Sequence, residues 1–171
     1  VSQVFTAAET GFDGDSIRQV FVASDGSLWL AASQGVSRRL PDGTWAHFGH
    51  GSPFSDQFSY ATSITEDTRG AIWVGTDGDG AWRFEAGAWQ QFLPANPGVN
   101  LPSFYIRGIT LAPDGSLWFA TGEGAARFDG QTWQAFTVAD GLVSPRVNDI
   151  YVQPDGVVWF AMDGGITRYS P

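Results

Sequence analysis

Four polar residues stand eleven positions ahead of four tryptophans: Arg18 before Trp29, Thr62 before Trp73, Arg107 before Trp118 and Asn148 before Trp159. These types suit recognition. A guanidinium donates from a rigid fork, and Thr and Asn both donate and accept. Aromatic residues lead into two of them: Phe58 and Tyr60 ahead of Thr62, Phe104 and Tyr105 ahead of Arg107. Apolar faces beside a few placed hydrogen-bonding groups make a pocket for a small, hydroxyl-rich ligand. Arg18, Thr62, Arg107, Asn148, Tyr60 and Tyr105 are therefore the candidate ligand-binding residues. The bland alternative is a solvated polar rim, with the aromatics capping the ends of packed sheets.

Catalytic and metal chemistry has weaker footing. His47 and His50 have no cysteine or third histidine beside them, so a zinc site is not expected. They also fall on a fourth strand and the loop after it, away from the strand that carries the polar series. No Gly-x-Ser-x-Gly elbow occurs, and no catalytic residue is nominated. The segment TDGDG at 76–80 places Asp77 and Asp79 as weak candidates for a hard cation, which takes six to eight oxygens. It lacks the spacing and terminal Glu of an EF-hand, and an acidic rim is the simpler reading. GDGAW and GEGAA are glycine-rich, but neither opens a helix, as phosphate cradling requires. No cofactor is expected.

The elements that must position these residues are written four times. DGSLWLA at 25–31 and DGSLWFA at 114–120 are near copies, and RGAIWVG and DGVVWFA begin at 69 and 155. The marker tryptophans are spaced by 44, 45 and 41 residues, and a second series, Trp45, Trp89 and Trp133, by 44 and 44. A strand-like pattern at this period means a propeller or a solenoid. Each repeat reads as four strands. The first covers 17–22, 62–66, 106–111 or 147–152, and a tight turn with Gly follows. The second strand carries the marker Trp and, two residues on, a small residue: Ala31, Gly75, Ala120 or Ala161. Residues two apart share a strand face, so ring and small residue point into one sheet interface. The third strand holds Arg38, Arg83, Arg127 or Arg168, a periodicity that argues for a structural role with turn carboxylates. The fourth starts at the second Trp series and ends in Phe48, Phe92 or Phe136. Trp82 belongs to neither series and is expected to be half-exposed.

In a propeller the first strand lines the central channel, which puts the polar series there. Strict alternation raises a difficulty, because Thr62 and the core residue Ile64 would share a face. Strand twist or the strand end must carry the polar residue to the channel mouth.

The stretches DSIRQVFVASDGSLWLAASQGVSRR and RVNDIYVQPDGVVWFAMDGGITRY resemble the two-component regulator propeller repeat. That pattern runs from a polar-Ile strand through Asp-Gly-x-Leu-Trp and a small residue to a Gly-rich loop and a strand with Arg and an aromatic. The resemblance covers nearly the whole chain. It implies a β-propeller, an extracytoplasmic place, and a sensor role toward carbohydrate-like ligands.

Composition narrows the classes. The 171 residues are 43% hydrophobic, enough for one domain with a sizeable core. No apolar run approaches the roughly 20 residues of a membrane span, and no secretory signal is present. Cysteine is absent, which excludes disulfides and thiolate metal sites. A net charge of −9 opposes nucleic acid and anionic membrane surfaces.

The expected fold is therefore all-β, a propeller of four-stranded antiparallel blades in a single domain 1–171. The repeats fall at about 15–57, 58–103, 104–145, and 146–171 joined to 1–14. The last repeat lacks a fourth strand, and SQVFT at 2–6 aligns with WQAFT at 133–137. The N-terminal strand is thus expected to close the ring. Two closures remain open, four blades in one chain or an eight-bladed homodimer, and the small residues beside the tryptophans favour the shallower angles of the dimer. The expected function is a non-catalytic binding or sensor module. The alternatives are a propeller lyase or hydrolase, and a self-assembling fragment with no ligand.

Overall fold

The computed structural model describes residues 2, 4–6, 16–49 and 60–171. Blade one comprises β1 (Ile17–Val22), β2 (Leu28–Ala32), β3 (Gly35–Arg39) and β4 (Trp45–Gly49). Blade two comprises β5 (Ala61–Glu66), β6 (Ile72–Thr76), β7 (Ala81–Glu85) and β8 (Ala88–Phe92). Blade three comprises β9 (Ile106–Leu111), β10 (Leu117–Thr121), β11 (Gly124–Phe128) and β12 (Trp133–Phe136). Blade four comprises β13 (Val147–Val152), β14 (Val158–Met162) and β15 (Gly165–Tyr169). Every sheet is an antiparallel meander in chain order.

The sheets stack face to face through the marker tryptophans. Trp29, Trp73 and Trp118 are 1%, 0% and 3% exposed, so they are core and not stacking platforms. Each lies on the terminal Phe of its own blade: Trp29 on Phe48, Trp73 on Phe92, Trp118 on Phe136. Each also meets aromatics of the next blade, as Trp29 meets Phe84 at 5.4 Å and Trp118 meets Phe160 at 5.8 Å. The small partner residues let the next sheet close in. A Cβ added at Gly75 would fall 2.6 Å from Ile106 of blade three. Trp82 is buried at 7%, against the half-exposure expected of it. It occupies the third-strand position held by Ser37 and Ala126 elsewhere and fills the interface with blade one.

Three of the marker indole N–H groups and three of the four periodic arginines find partners at the turns that follow the first strands. Trp29 Nε1 donates to Ser27, Trp73 Nε1 to Asp67, and Trp159 Nε1 to Gln153. Arg38 pairs with Asp25 and lies over the Trp29 ring, and Arg127 pairs with Asp114 at 2.9 Å. Arg83 sits between Asp67 and Glu85, whereas Arg168 lies over Trp159. Pairing with turn carboxylates thus holds for Arg38, Arg83 and Arg127.

These turns make the fold acid-sensitive. The Ser27 hydroxyl and N–H, with Arg38, hold the Asp25 carboxyl below its ordinary 3.8. At Asp114 burial pushes upward, and the Ser116 and Arg127 bonds outweigh it, so the net direction is again down. A depressed carboxylate contributes stability that is fully present above the unfolded value and lost as pH falls through the folded one. Thermal midpoints are thus expected to hold above about pH 4 and to fall steadily below it. Asp114→Asn should flatten that acid limb, and an unchanged slope in melts across the range would contradict the assignment.

Successive blades are also tied through their innermost strands. Gln19 grips Ile64 twice, donating to its carbonyl at 2.9 Å and accepting from its N–H at 2.8 Å. The Thr62 hydroxyl donates to the Ile106 carbonyl at 2.7 Å, and the Thr110 hydroxyl to the Ile150 carbonyl at 2.9 Å. So β1 packs beside β5, β5 beside β9, and β9 beside β13. No comparable packing joins β13 to β1 among the described residues. Within the chain, residues 4–6 do not pair with β15. Phe5 instead lies against Trp45 of blade one at 5.9 Å.

Candidate ligand-binding site

The four polar residues singled out by their spacing share one backbone feature. In each innermost strand the pairing with its neighbour skips a residue near the start. The ladder jumps from Ile17 to Gln19, from Ala61 to Ser63, from Ile106 to Gly108 and from Val147 to Asp149. The skipped residues are Arg18, Thr62, Arg107 and Asn148. A bulge inserts one unpaired residue and re-aims its side chain, and bulges gather at binding sites. The parity difficulty disappears, because the extra residue resets the alternation and Thr62 need not share the face of Ile64.

The aromatics stand at the same end of the blades. Tyr60, Phe104 and Tyr105 are 48%, 42% and 52% exposed. Their backbones are tied to the turns between second and third strands. Asp77 N–H donates to the Tyr60 carbonyl, Gly80 N–H to Phe104, and Gly122 N–H to Tyr105. Arg18 lies over the Tyr60 ring with 5.6 Å to the centroid, which joins blades one and two at the mouth. The Arg107 Nε is buried without a hydrogen-bond partner, so its guanidinium is not consumed by the fold at that atom. Thr62 is half-committed, since its proton goes to Ile106 and only acceptor capacity remains. Asn148 donates to Asp163 at 2.8 Å and is exposed. Phe58 and His50 lie outside the described residues.

The weaker candidates resolve differently. Asp77 and Asp79 are held in a turn organised by Thr76, whose hydroxyl donates to the Gly80 carbonyl and accepts from Asp79 N–H. Among the described residues no three His, Cys, Asp or Glu side chains converge as a metal site would need. His47 sits on outermost β4, 2.7 Å from Ser37 and stacked on Trp45. Thr110 and Gln19 are contributors that sequence reasoning passed over, and their polar character on inner strands was the available signal.

Clefts open between neighbouring blades at the opposite, Asp-Gly end of the strands. One of about 470 Å³ is lined by Asp114, Trp118, Arg127, Tyr169 and Pro171. Its Arg127 and Asp114 already neutralise each other, so this cleft is an interface gap.

Meandering four-stranded blades stacked about inner strands define the β-propeller class. Residues 54–78 match the family model described as two component regulator propeller, and the chain thus carries a repeat of that kind. A search of curated proteins finds no match. Among solved structures the chain is similar to the extracellular domain assigned to a hybrid two component system of B. thetaiotaomicron, at 22% identity and a TM-score of 0.79 over 93% of this chain and 22% of that one. A one component system domain of the same organism is similar at 20% identity and a TM-score of 0.73, over 96% and 22% of the two chains. A catalytically inactive histidine-to-alanine variant of virginiamycin B lyase from Staphylococcus aureus, with quinupristin, is similar at 21% identity and a TM-score of 0.66, over 93% and 57%. At these identities the likeness concerns the fold. The chain spans about a fifth of the length of those two extracellular domains.

Proposed function

We propose that this chain is a non-catalytic propeller binding domain of sensor type, taking a small, neutral or weakly anionic, hydroxyl-rich ligand at the channel mouth. The observation that carries it is the set of bulges at Arg18, Thr62, Arg107 and Asn148, beside exposed Tyr60, Phe104 and Tyr105. Exposed aromatic rings cost hydration free energy that ligand stacking relieves. Supporting the sensor class, the family repeat at 54–78 and the two B. thetaiotaomicron domains come from regulatory systems, the latter two extracellular. An extracytoplasmic place follows from the same reading.

A lyase reading has one point in its favour, the likeness to the virginiamycin B lyase fold. Among the described residues no histidine stands at the mouth to serve as its base. His47 is engaged on the outermost strand, away from the mouth, and a general base must reach the proton it removes.

A thermal-shift screen of glycans and metabolites, followed by calorimetry, tests the proposal. Arg107→Ala is expected to weaken binding about ten- to a hundredfold, the worth of a charge-assisted hydrogen bond of roughly 1.5–3 kcal/mol. A ligand whose affinity is indifferent to Arg107 binds elsewhere, and the site assignment then fails.

A further inference from the structure

We propose that the cleft between blades one and two, at the Asp-Gly end of the strands, is a second binding site, built for a small organic ammonium that carries an apolar or aromatic group. Both of its walls are complete four-stranded blades. It lies at the opposite end of the strands from the channel mouth, so the two sites stand or fall separately.

The cleft exists because blade two turns tightly. Between its third and fourth strands, blade one uses residues 40–44 and blade three residues 129–132, but blade two has only Ala86 and Gly87. The tightest two-residue hairpins need φ > 0 at both central positions. Ala86 takes φ 50° and Gly87 82°, and Ala86 is the one non-glycine residue with positive φ among the described residues. Both residues line a cleft of about 390 Å³, in the size range of small-molecule pockets. Between blades two and three the longer turn brings Asp129 and Gly130 to the equivalent gap. Thr68 also closes on Gly115 there, where an added Cβ would meet its methyl at 3.1 Å. That gap is only about 80 Å³.

Glu66 sets the chemistry. The last residue of the innermost strand is Val22, Leu111 or Val152 in the other blades, and Glu66 in blade two. Its carboxylate lines the cleft and is held from blade one. The Ser24 N–H donates to one oxygen at 2.8 Å and the Ser24 hydroxyl to the other at 2.6 Å. Each oxygen keeps acceptor capacity for a further donor. No cation of the chain answers this charge. The nine basic side chains are all arginines, and their ion pairs go to Asp25, Asp67, Glu85, Asp114 and Asp163. Arg69 lines the cleft without an ion pair, but its guanidinium reaches toward blade three, where a Cβ added at Gly130 would lie 3.7 Å from it. Nor is a carboxylate needed as a blade tie. Gln19 already grips Ile64 across the same interface, and the other two interfaces are tied by the neutral hydroxyls of Thr62 and Thr110.

The occupant follows from these groups. An uncompensated carboxylate calls for a cation, and a net charge of −9 favours cations at long range. A hard metal ion takes six to eight oxygens, and among the described residues no three acidic or histidine side chains converge. An ammonium brings three donors on one centre and engages the free lone pairs of Glu66. Ile72 and Phe84 line the cleft for the rest of the molecule. Arg38 already covers the Trp29 ring at 5.2 Å, so recognition rests on the carboxylate and not on a cation–π contact. The cleft between blades three and four has Val152 at the Glu66 position, and it lacks this acceptor.

Phenethylamine is the probe, with its neutral and anionic analogues phenylethanol and phenylacetate as controls. In amide NMR of the unaltered protein, the amine is expected to give saturable shifts at Ser24, Ala86 and Gly87 and none at Thr62 or Arg107. Phenylethanol should bind about ten- to a hundredfold more weakly, the worth of a charge-assisted hydrogen bond, and phenylacetate should not bind. Glu66→Gln keeps an acceptor for Ser24. It is expected to lower the affinity for the amine by the same factor and to leave that for the alcohol unchanged. No saturable shift with the amine, shifts confined to other parts of the protein, equal affinity for amine and alcohol, or an amine affinity unaltered in Glu66→Gln would each overturn the proposal. The three probes on the unaltered protein decide the matter even if the variant does not fold.

Discussion

Trp118→Ala is expected to remove about 3–5 kcal/mol of stability, the usual cost of emptying a large aromatic site in a core. The ring is 3% exposed and wedged between two blades. It stacks on Phe136 at 5.1 Å and meets Phe160 at 5.8 Å and Tyr169 at 6.2 Å. None of these neighbours can collapse into the gap without dragging its own strand, since each is fixed in a ladder. Domains have about 5–15 kcal/mol in total, so the variant stands near the edge of folding. Urea unfolding monitored by the remaining tryptophans measures the loss. A change within about 0.5 kcal/mol, the ordinary scale of surface substitutions, would mean that this ring does not hold the interface.

Gly124→Ala comes next in expected size. Gly124 has φ +136°, a conformation that L side chains rarely adopt, and its Cβ would lie 2.4 Å from the Phe136 carbonyl oxygen. Backbone strain costs of order 1–3 kcal/mol. Overpacking against a rigid strand adds about 1–3 kcal/mol. The carbonyl belongs to a β-ladder and has no flexible end to swing away. The combined loss is read from the denaturation midpoint, and Gly98→Ala serves as a control. Gly98 also has positive φ, but nothing lies within 4 Å of its added Cβ, so it carries only the backbone share. Equal losses at the two positions would show that close strand approach contributes nothing.

Much of the fold was legible because its signals are short-range. An Asp-Gly turn, an aromatic and a small residue two positions later repeat at nearly constant spacing, and a strand's period of two converts that spacing directly into faces. First-strand limits agree to within one residue, with Thr62 expected and Ala61 observed as the start of β5. Trp82 was misjudged because its burial depends on what blade one presents opposite it, and the facing residues are distant in sequence. The candidate residues at the mouth were found by spacing, but why they belong together was not visible. A bulge is one extra residue in a strand of six. It leaves no compositional mark, and the pattern around Thr62 shows only that strict alternation would put it on the face of Ile64.

The sequence by itself determined the repeat, the four-stranded blade, the stacking role of Trp29, Trp73 and Trp118, and the positions of the polar series. All of these follow from contacts within one repeat or from its periodicity. Tertiary structure alone decided three matters. The bulges turn Arg18, Thr62, Arg107 and Asn148 out of the strand alternation, because hydrogen-bond registry between neighbouring strands selects which residue is skipped. Thr62 lost its free proton to Ile106, because inner strands of adjacent blades approach within hydrogen-bonding distance. The close approach of neighbouring sheets at Gly75 and Ile106 was set in the same way, by side-chain contacts between blades that no single repeat encodes.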